Sequence, residues 1–397
     1  MNMNNRKNIF EKIKLNTKKI LIEKQLTKKI QSKKILNIKI GIDPTTPNLH
    51  LGHFVLINKL KQLQDLGHNI LFIIGDFTGI IGDPTGKNIT RKILTKEQIQ
   101  INAIKCQHQI LKLLNPKKLK ILFNSEWLKK ISIFKILNIL SNFTISKMLE
   151  RKDFYKRYKN GYSISIHEFI YPLIQAYDSV VLKADIELGG NDQLFNLLIG
   201  RELQKTFNQE PQNIITMPIL EGSDGKNKMS KSLNNYINIK DKPGDIYRKL
   251  ISINDSLIYK YFKLLSIKPI NKPINKLIKL TPREIKIKLA TELITYFYNK
   301  TIAKQASSLI GNKVKFFPIN IPKIQIIINN FITVPIIYIL NKSGLVKNNS
   351  QAKDLLKNKK IKINNILINY NYKLIFNKNY FIQAGNTTFA IIHLLGP

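Results

Sequence analysis

The chain has 397 residues, 43% hydrophobic and 23% charged, ordinary globular values that exclude a disordered chain, a collagen and a polytopic membrane protein. Lys plus Arg number 65 against 25 Asp plus Glu, a formal charge of +40; this fits a polyanionic partner, and it equally fits codon drift, since Lys, Ile and Asn crowd segments such as KKILNIKI and NKPINKLIKL. The single cysteine, Cys106, excludes a disulfide scaffold and a Cys-based zinc site.

The Lys-rich opening, through about residue 34, has no apolar signal core and only one Arg and one Ser, so neither a secretory signal nor a transit peptide is expected. Ile9, Ile13, Ile20, Leu21 and Ile22 among lysines suggest surface helix. A cytoplasmic protein without membrane spans is expected. ILNIKIGID (35–43) reads as a strand and PTTPNLH as a loop. Leu51, Val55, Leu56, Leu60, Leu63 and Leu66 then recur at helical spacing, and Gly67 closes the helix. NILFIIGD reads as a buried parallel strand, followed by the glycine-rich loop DFTGIIGDPTGK. This βαβ order predicts an α/β fold with a doubly wound, Rossmann-like parallel sheet.

Residues 95–160 read mainly as helix around a short strand at KLKILFN, with a helical insertion at about 110–160. HEFIYPLIQAYDSVVL returns to helix, ADIELGGNDQ is a strand entering a glycine loop, NLLIGRELQ is helix and IITMPIL is strand. The first domain is therefore expected over 1–220. A charged loop, EGSDGKNKMSKSLNNY, opens a helical region over 221–325. Two prolines and little helical pattern make 311–333 look like a linker. A small α plus β domain is expected over 335–397.

Two constellations carry chemistry. His50-Leu51-Gly52-His53 stands where a loop becomes a helix. Free N–H groups and the positive dipole end there suit phosphate. Gly52 would let a flat base approach the backbone, and histidines three apart share a helix face. The bland alternative is two surface histidines. Lys228-Met229-Ser230-Lys231-Ser232 follows a Gly-containing loop; two such lysines could close over phosphates and stabilise a pentavalent transition state. A four-residue pattern such as HxGH is weak alone, and in a Lys-rich chain KxxKS is cheap. Together, in this order and these contexts, they are hard to obtain by chance.

The pair resembles the signatures of class I aminoacyl-tRNA synthetases, and within that class the bacterial tyrosyl-tRNA synthetases. The likeness rests on GIDPTTPNLHLGH (41–53), GDFTGIIGDPTGK (75–87), HEFIYPLIQAYD (167–178), GGNDQLFNLLIGRELQ (189–204) and KMSKS, and covers nearly the whole chain. It implies that Tyr171, Gln175 and Asp178, which share a helix face, line a tyrosine pocket. Asp178 would meet the phenol, and Tyr171 with Gln175 the amino group. Asp83 would meet the ammonium and Gln193 would border the carboxylate. Gly190 and Asp192 would hold the ribose, with Gly41, Asp43, Thr45, His50, Gly52 and His53 at the nucleotide and phosphate end. Lys87 and Arg91 would embrace pyrophosphate from a loop, and Lys228 and Lys231 would act on the transition state. Core packing competes for Tyr171 and is expected for Tyr177, and Lys87 and Arg91 could be merely surface. Asp178 on an otherwise apolar helix is costly to bury without a partner, which favours function. One position departs: many family members carry Tyr two residues before the Gly of GxDPT, where this chain has Lys39.

LVKNNSQAKDLLKNKKIKIN (345–364) resembles an S4-like RNA-binding module. Ser350, Ala352, Leu355 and Leu356 suit a short helix, and Lys353, Lys357, Lys359, Lys360 and Lys362 would face a phosphate backbone. The alternative is a solvated basic face. Cys106 reads as a buried thiol, while His108, His167 and Trp127 have no partner evident in sequence. No residues have metal-ligand spacing, so any metal is expected to be Mg²⁺ carried by ATP. The resemblance implies formation of tyrosyl-adenylate from tyrosine and ATP, then transfer to the 3′ end of tRNA(Tyr), by a homodimer with the inserted region at its interface. Three rivals stand beside it. A tryptophanyl enzyme is opposed by the QAYD motif and the tail, a small-molecule nucleotidyltransferase predicts no RNA-binding tail, and a decayed RNA-binding protein is opposed by intact HLGH and KMSKS.

Overall fold

The apolar runs expected as strands align in one sheet. The computed structural model describes residues 3–32, 35–85, 94–267, 280–310, 322–328, 334–346, 348–364, 366–370, 372–385 and 388–396. The chain divides into two units, Met1–Gln305 and Ala306–Pro397. In the first, β1 (Lys19–Leu21), β2 (Asn37–Ile42), β3 (Asn69–Ile74), β4 (Leu119–Phe123), β5 (Ile186–Gly190) and β6 (Asn213–Met217) take the order β1-β6-β5-β2-β3-β4. β2 to β6 are mutually parallel, and β1 runs antiparallel to β6. Ile38, Ile40, Ile70, Phe72, Ile186 and Ile214 are buried, as expected for a sheet covered on both faces. The chain winds outward from β2 to β4 and then resumes beside β2 with β5. That reversal opens a crevice at the carboxyl ends of β2 and β5, where such sheets bind ligands.

Three helices frame the crevice: α1 (Leu51–Asp65), α2 (Ile166–Leu182) and α3 (Leu194–Thr206). Ser165 and Glu168 form a capping box at the start of α2. Leu173, Ala176, Tyr177 and Val180 of α2 share a core with Ile199 and Leu203 of α3, so Tyr177 is the core residue expected. Between β4 and α2 lie four short helices, Ser125–Leu128, Ile133–Ser141, Ile145–Leu149 and Lys152–Lys159. The buried Arg157 ties the last of them to Glu168 of α2 (Nη1–Oε2 2.6 Å).

Three expectations change. The opening segment is not one surface helix: helices Met3–Lys14 and Glu23–Ser32 flank β1, which carries Ile20 and Leu21. Positive φ at Asn16 and Ile22 breaks the helix on either side, and Ile20 pairs with Ile215. The stretch 311–333, expected as a linker, contributes a strand, Lys323–Ile327, to the second unit; upstream prolines obscured its β-branched run. No separate unit begins at 221. Leu51 N–H donates to Ile237 O (2.9 Å) and Ile239 N–H to Leu49 O (3.0 Å). Asn58 of α1 donates to the carbonyls of Leu264 (3.1 Å) and Ser266 (2.9 Å).

The second unit carries a five-stranded sheet, order β10-β9-β12-β13-β7, from β7 (Lys323–Ile327), β9 (Ile361–Ile363), β10 (Ile366–Leu367), β12 (Lys378–Ala384) and β13 (Thr388–Leu395). β8 (Val334–Pro335) pairs with β11 (Lys373–Leu374). Ala352 and Leu356 of α4 (Asn349–Lys357) and Ile336 and Leu340 of the preceding helix share its core with Ile363, Ile382 and Ile392. Asn348 caps α4, accepting from Gln351 N–H at 2.9 Å.

The Asn58 clasp joins α1 to the helical region after 221 through two buried hydrogen bonds. Asn58→Ala is expected to cost about 2–3 kcal/mol in urea unfolding, since two carbonyls lose their donor. A loss below about 0.5 kcal/mol, the range of an inert substitution, would contradict that role.

Candidate active site

A cavity of about 710 Å³ occupies the crevice. Gly41, Asp43, Thr45, His50, Gly52, His53, Asp83, Tyr171, Gln175, Asp178, Gly190, Asp192, Gln193, Lys228 and Lys231 all line it. Lys87 and Arg91 lie outside the described residues.

One end of the cavity is built where α1 begins. His50 caps the helix, its Nδ1 accepting from Gly52 N–H at 3.1 Å, while His53 Nδ1 accepts from His50 N–H at 3.2 Å. With both Nδ1 atoms accepting, each neutral ring carries its proton on Nε2. Burial, the His53 ring and the lysines Lys231 and Lys228 push His50 down to about 2. Burial and the same lysines push His53 down to about 3. Both rings are therefore neutral donors at physiological pH. A Cβ on Gly52 would meet the His50 ring at 2.9 Å, so position 52 must be glycine for this cap to form.

KMSKS reaches the same place through backbone pairing. Beyond the Leu49 and Leu51 bonds, Met229 N–H donates to Leu220 O (3.0 Å) and Lys231 Nζ to Asn48 O (2.6 Å). Asn235 braces the loop, accepting from Ser230 N–H (2.8 Å) and donating to Asp224 (3.0 Å). Lys228 pairs with Asp192 at the end of β5. Burial lowers the Lys231 ammonium, with the Asp241 charge opposing.

The other end carries two runs of polar side chains. Tyr171 donates to Asp43 (2.9 Å), which accepts also from Thr78 (2.7 Å). Asn124 donates to Thr78 Oγ1 (3.0 Å) and to Asp178 Oδ2 (3.4 Å), and Trp127 Nε1 donates to Asp178 Oδ1 (2.8 Å). Gln193 donates to Asp83 (2.7 Å), and Asn196 bridges Gln193 and Gln175. Burial and the Asp43 carboxylate raise the Tyr171 hydroxyl well above its usual value. Burial raises Asp178 to about 6, against the Lys39 charge and the Trp127 and Asn124 hydrogen bonds, with Glu187 adding to the rise.

Lys39 does not replace a phenol-contacting hydroxyl in kind. It is fully buried, pairs with Glu187 (2.9 Å) and is not among the residues lining the cavity. Sequence reading also missed Thr78, Asn124 and Trp127. The signal available was topological: Asn124 follows β4, and carboxyl ends of parallel strands gather at one edge.

Residues 31–313, more than half of the chain, match the family described as tRNA synthetases class I (W and Y). The chain belongs to that family. It is 48% identical to the tyrosine–tRNA ligase of Francisella tularensis over 98% of this chain and 99% of that protein. It is 46% identical to that of Colwellia psychrerythraea over 95% and 94%. Within the family, then, the chain groups with bacterial tyrosine–tRNA ligases. The fold is shared with solved structures, among them a tyrosyl-tRNA synthetase of Archaeoglobus fulgidus complexed with L-tyrosine (24% identity, TM-score 0.62, 76% of this chain and 99% of that one). Another is a truncated mitochondrial tyrosyl-tRNA synthetase of Aspergillus nidulans (22%, TM-score 0.65, 76% and 92%).

Proposed function

We infer that the protein activates tyrosine with ATP and transfers it to tRNA(Tyr). The observation that carries the substrate is Asp178, a buried carboxylate held by Trp127 and Asn124 in a cavity whose other end is the HLGH–KMSKS junction. The relatives named tyrosine–tRNA ligase, 46% and 48% identical over most of this chain, favour tyrosine over tryptophan. The tyrosine carboxylate attacks the α-phosphorus of ATP; a P–O bond forms, the bond to the β-phosphate oxygen breaks, and pyrophosphate leaves. The nucleophile is already an anion, so no general base is needed. Rate comes from positioning and from charge met at phosphorus. Lys231, Lys228 and the Nε2–H donors of His50 and His53 supply the latter, joined by Lys87 and Arg91. In the free enzyme Lys228 pairs with Asp192; ribose hydroxyls taking Asp192 would release that lysine toward the phosphates. Asp83, Tyr171 and Gln175 take the ammonium. A terminal ribose hydroxyl of tRNA then attacks the acyl carbon, and AMP leaves.

Mg²⁺ would arrive with ATP. Among the described residues no cluster of three acidic, His or Cys side chains could hold a metal, and no helix is long and apolar enough to cross a membrane. We place the enzyme in the cytoplasm on the strength of its tRNA substrate. The tail supports RNA contact: Lys353, Lys357, Lys359 and Lys360 are exposed on and after α4, with Lys362 half-buried on β9. A homodimer is supported by the inserted helices, which expose Ile133, Phe134, Leu137, Ile145, Tyr155 and Tyr158, since so large an apolar surface marks an interface.

Amino-acid-dependent ATP–pyrophosphate exchange is expected with tyrosine; exchange with tryptophan instead would overturn the assignment. Lys231→Ala should lower the exchange kcat about 10²-fold while tyrosine KM changes little, and equal losses in both would contradict a transition-state role. Lys357→Glu with Lys360→Glu should spare exchange and lower charging at least about tenfold, with a shallower salt dependence. Full charging by that variant would remove the tail from tRNA binding. Phe134→Glu should sediment as a monomer at micromolar concentration, and an unchanged dimer would place the interface elsewhere.

A further inference from the structure

Behind the cavity lies a buried charge pair that the reaction just described does not use. Lys39 on β2 and Glu187 on β5 are direct cross-strand partners. Their side chains are 0% and 2% exposed, with Nζ 2.9 Å from Oε1. Lys39 Nζ also donates to the carbonyl of Gln175 (2.9 Å) and to Ser179 Oγ (2.7 Å), and Ser179 Oγ donates to Glu187 Oε2 (3.0 Å). Gln212 donates to the same Glu187 oxygen. A Cβ at Gly200 of α3 would meet Gln212, Glu187 and Ser179 at 2.8–3.2 Å, so the neighbouring helix carries no side chain there. Glu187 lines the cavity.

Stability gives little reason for such a pair, because well-packed apolar residues do as well or better in the same space. Its placement gives a reason. Gln175 and Ser179 are one turn apart on α2 and bracket Asp178. The bonds of Lys39 therefore fix the turn from which Asp178 projects. Asp178 is itself buried, and an uncompensated buried carboxylate takes up a proton. The groups around it are Lys39 from β2, Glu187 from β5, Trp127 and Asn124 from the segment after β4, and Tyr171 on its own helix. Lys39 is the one cation among them.

We propose that the Lys39–Glu187 pair is a positioning device beneath the amino-acid pocket: it holds the Gln175–Ser179 turn, keeps Asp178 a carboxylate able to accept from a phenol, and so sets the preference for tyrosine over phenylalanine. The proposal rests on the assignment of tyrosine as substrate. A site built to hydrogen-bond a hydroxyl rejects the analogue lacking it because its polar groups are left unpaired, a rule for which tyrosyl synthetases are the standing example. A protonated Asp178 loses that strength. Since the ionised form accepts the phenol hydrogen more strongly, kcat/KM for tyrosine falls as pH drops through its pKa, near 6 in the free enzyme.

The two partners act on Asp178 with opposite sign, and this separates charge from mere packing. Tyrosine-dependent exchange is measured from pH 5 to 8 for the full-length wild type, Glu187→Gln, Lys39→Met and the double Lys39→Met/Glu187→Met, with thermal unfolding in parallel. Glu187→Gln should move the acidic limb down, and Lys39→Met should move it up by about one pH unit. The double variant leaves no buried charge unpaired and should show a smaller upward shift, which reports even where Lys39→Met fails to fold. The tyrosine-to-phenylalanine ratio of kcat/KM at pH 7 should fall at least about tenfold in both Lys39 variants. Limbs that coincide with the wild type while only thermal stability drops, or that move the same way in Glu187→Gln and the Lys39 variants, overturn the proposal. Absence of tyrosine-dependent exchange in the wild type would instead overturn the assigned function.

Discussion

A carboxylate cannot stay ionised inside a protein unless something nearby stabilises its charge, and much of the amino-acid end of this site is arranged around that requirement. Asp178 sits on α2 with apolar neighbours that belong to the core shared with α3. Two donors reach it from the segment after β4, and a cation lies behind it on β2. Donors and cation come from different elements, and the parallel sheet brings them together because the carboxyl ends of its strands open on one edge. Asn124 extends the arrangement: through Thr78 it reaches Asp43 and Tyr171. Asp178 and Tyr171 are thus joined by one run of hydrogen bonds, so displacement at either is felt at the other.

The end of the cavity at the start of α1 follows the opposite logic. On the proposed function its substrate brings the negative charge, and the protein supplies donors that do not have to change state. His50 and His53 are held neutral by burial and by the two lysines of the facing loop. Neutral rings with Nε2–H donors stabilise charge without releasing or taking a proton, which suits a reaction whose nucleophile needs no base. The positive charge is carried by lysines instead. Lys228 is exposed and pairs with the carboxylate of Asp192, while Lys231 is tied to a backbone carbonyl beside His50. The backbone bonds between Leu49–Leu51 and Ile237–Ile239 fix the root of that loop beside the start of α1.

What could be read in advance divides along the same line. The strands and helices around the crevice have strong periodicity, since Ile and Leu at period two or 3.6 leave little choice of element. HLGH and KMSKS were legible because their residue types, order and context coincide. Trp127 and Asn124 were not, since a lone Trp and Asn carry no pattern, and their role exists only once β4 is placed beside β3. Lys39 was visible as a departure, but its meaning depended on its cross-strand partner Glu187, a pairing that requires the strand order. The strands β1 and β7 were missed for a local reason. Each is short, lies at a sheet edge and is bounded by residues that read as breaks or helix, such as Asn16 before β1 and the prolines before β7.

The charge that opened the problem divides less simply than a functional share and a surface remainder. Some lysines serve the interior. Lys29, 2% exposed, donates to the carbonyls of Asp185 and Pro211. Lys59, 1% exposed, donates to those of Lys12 and Leu15, and burial lowers it to about 7. These ammonium groups act as three-donor braces, each joining a helix to the end of another segment. Drift toward Lys codons would supply such residues at random, but only positions with carbonyls already converging can accept one, because a buried ammonium without acceptors is driven to lose its proton. The positive balance is therefore filtered by the fold. Lysines at solvent are tolerated freely, and the few inside survive where backbone acceptors or a carboxylate are already in place, such as Glu187 for Lys39 and Asp255 for Lys286.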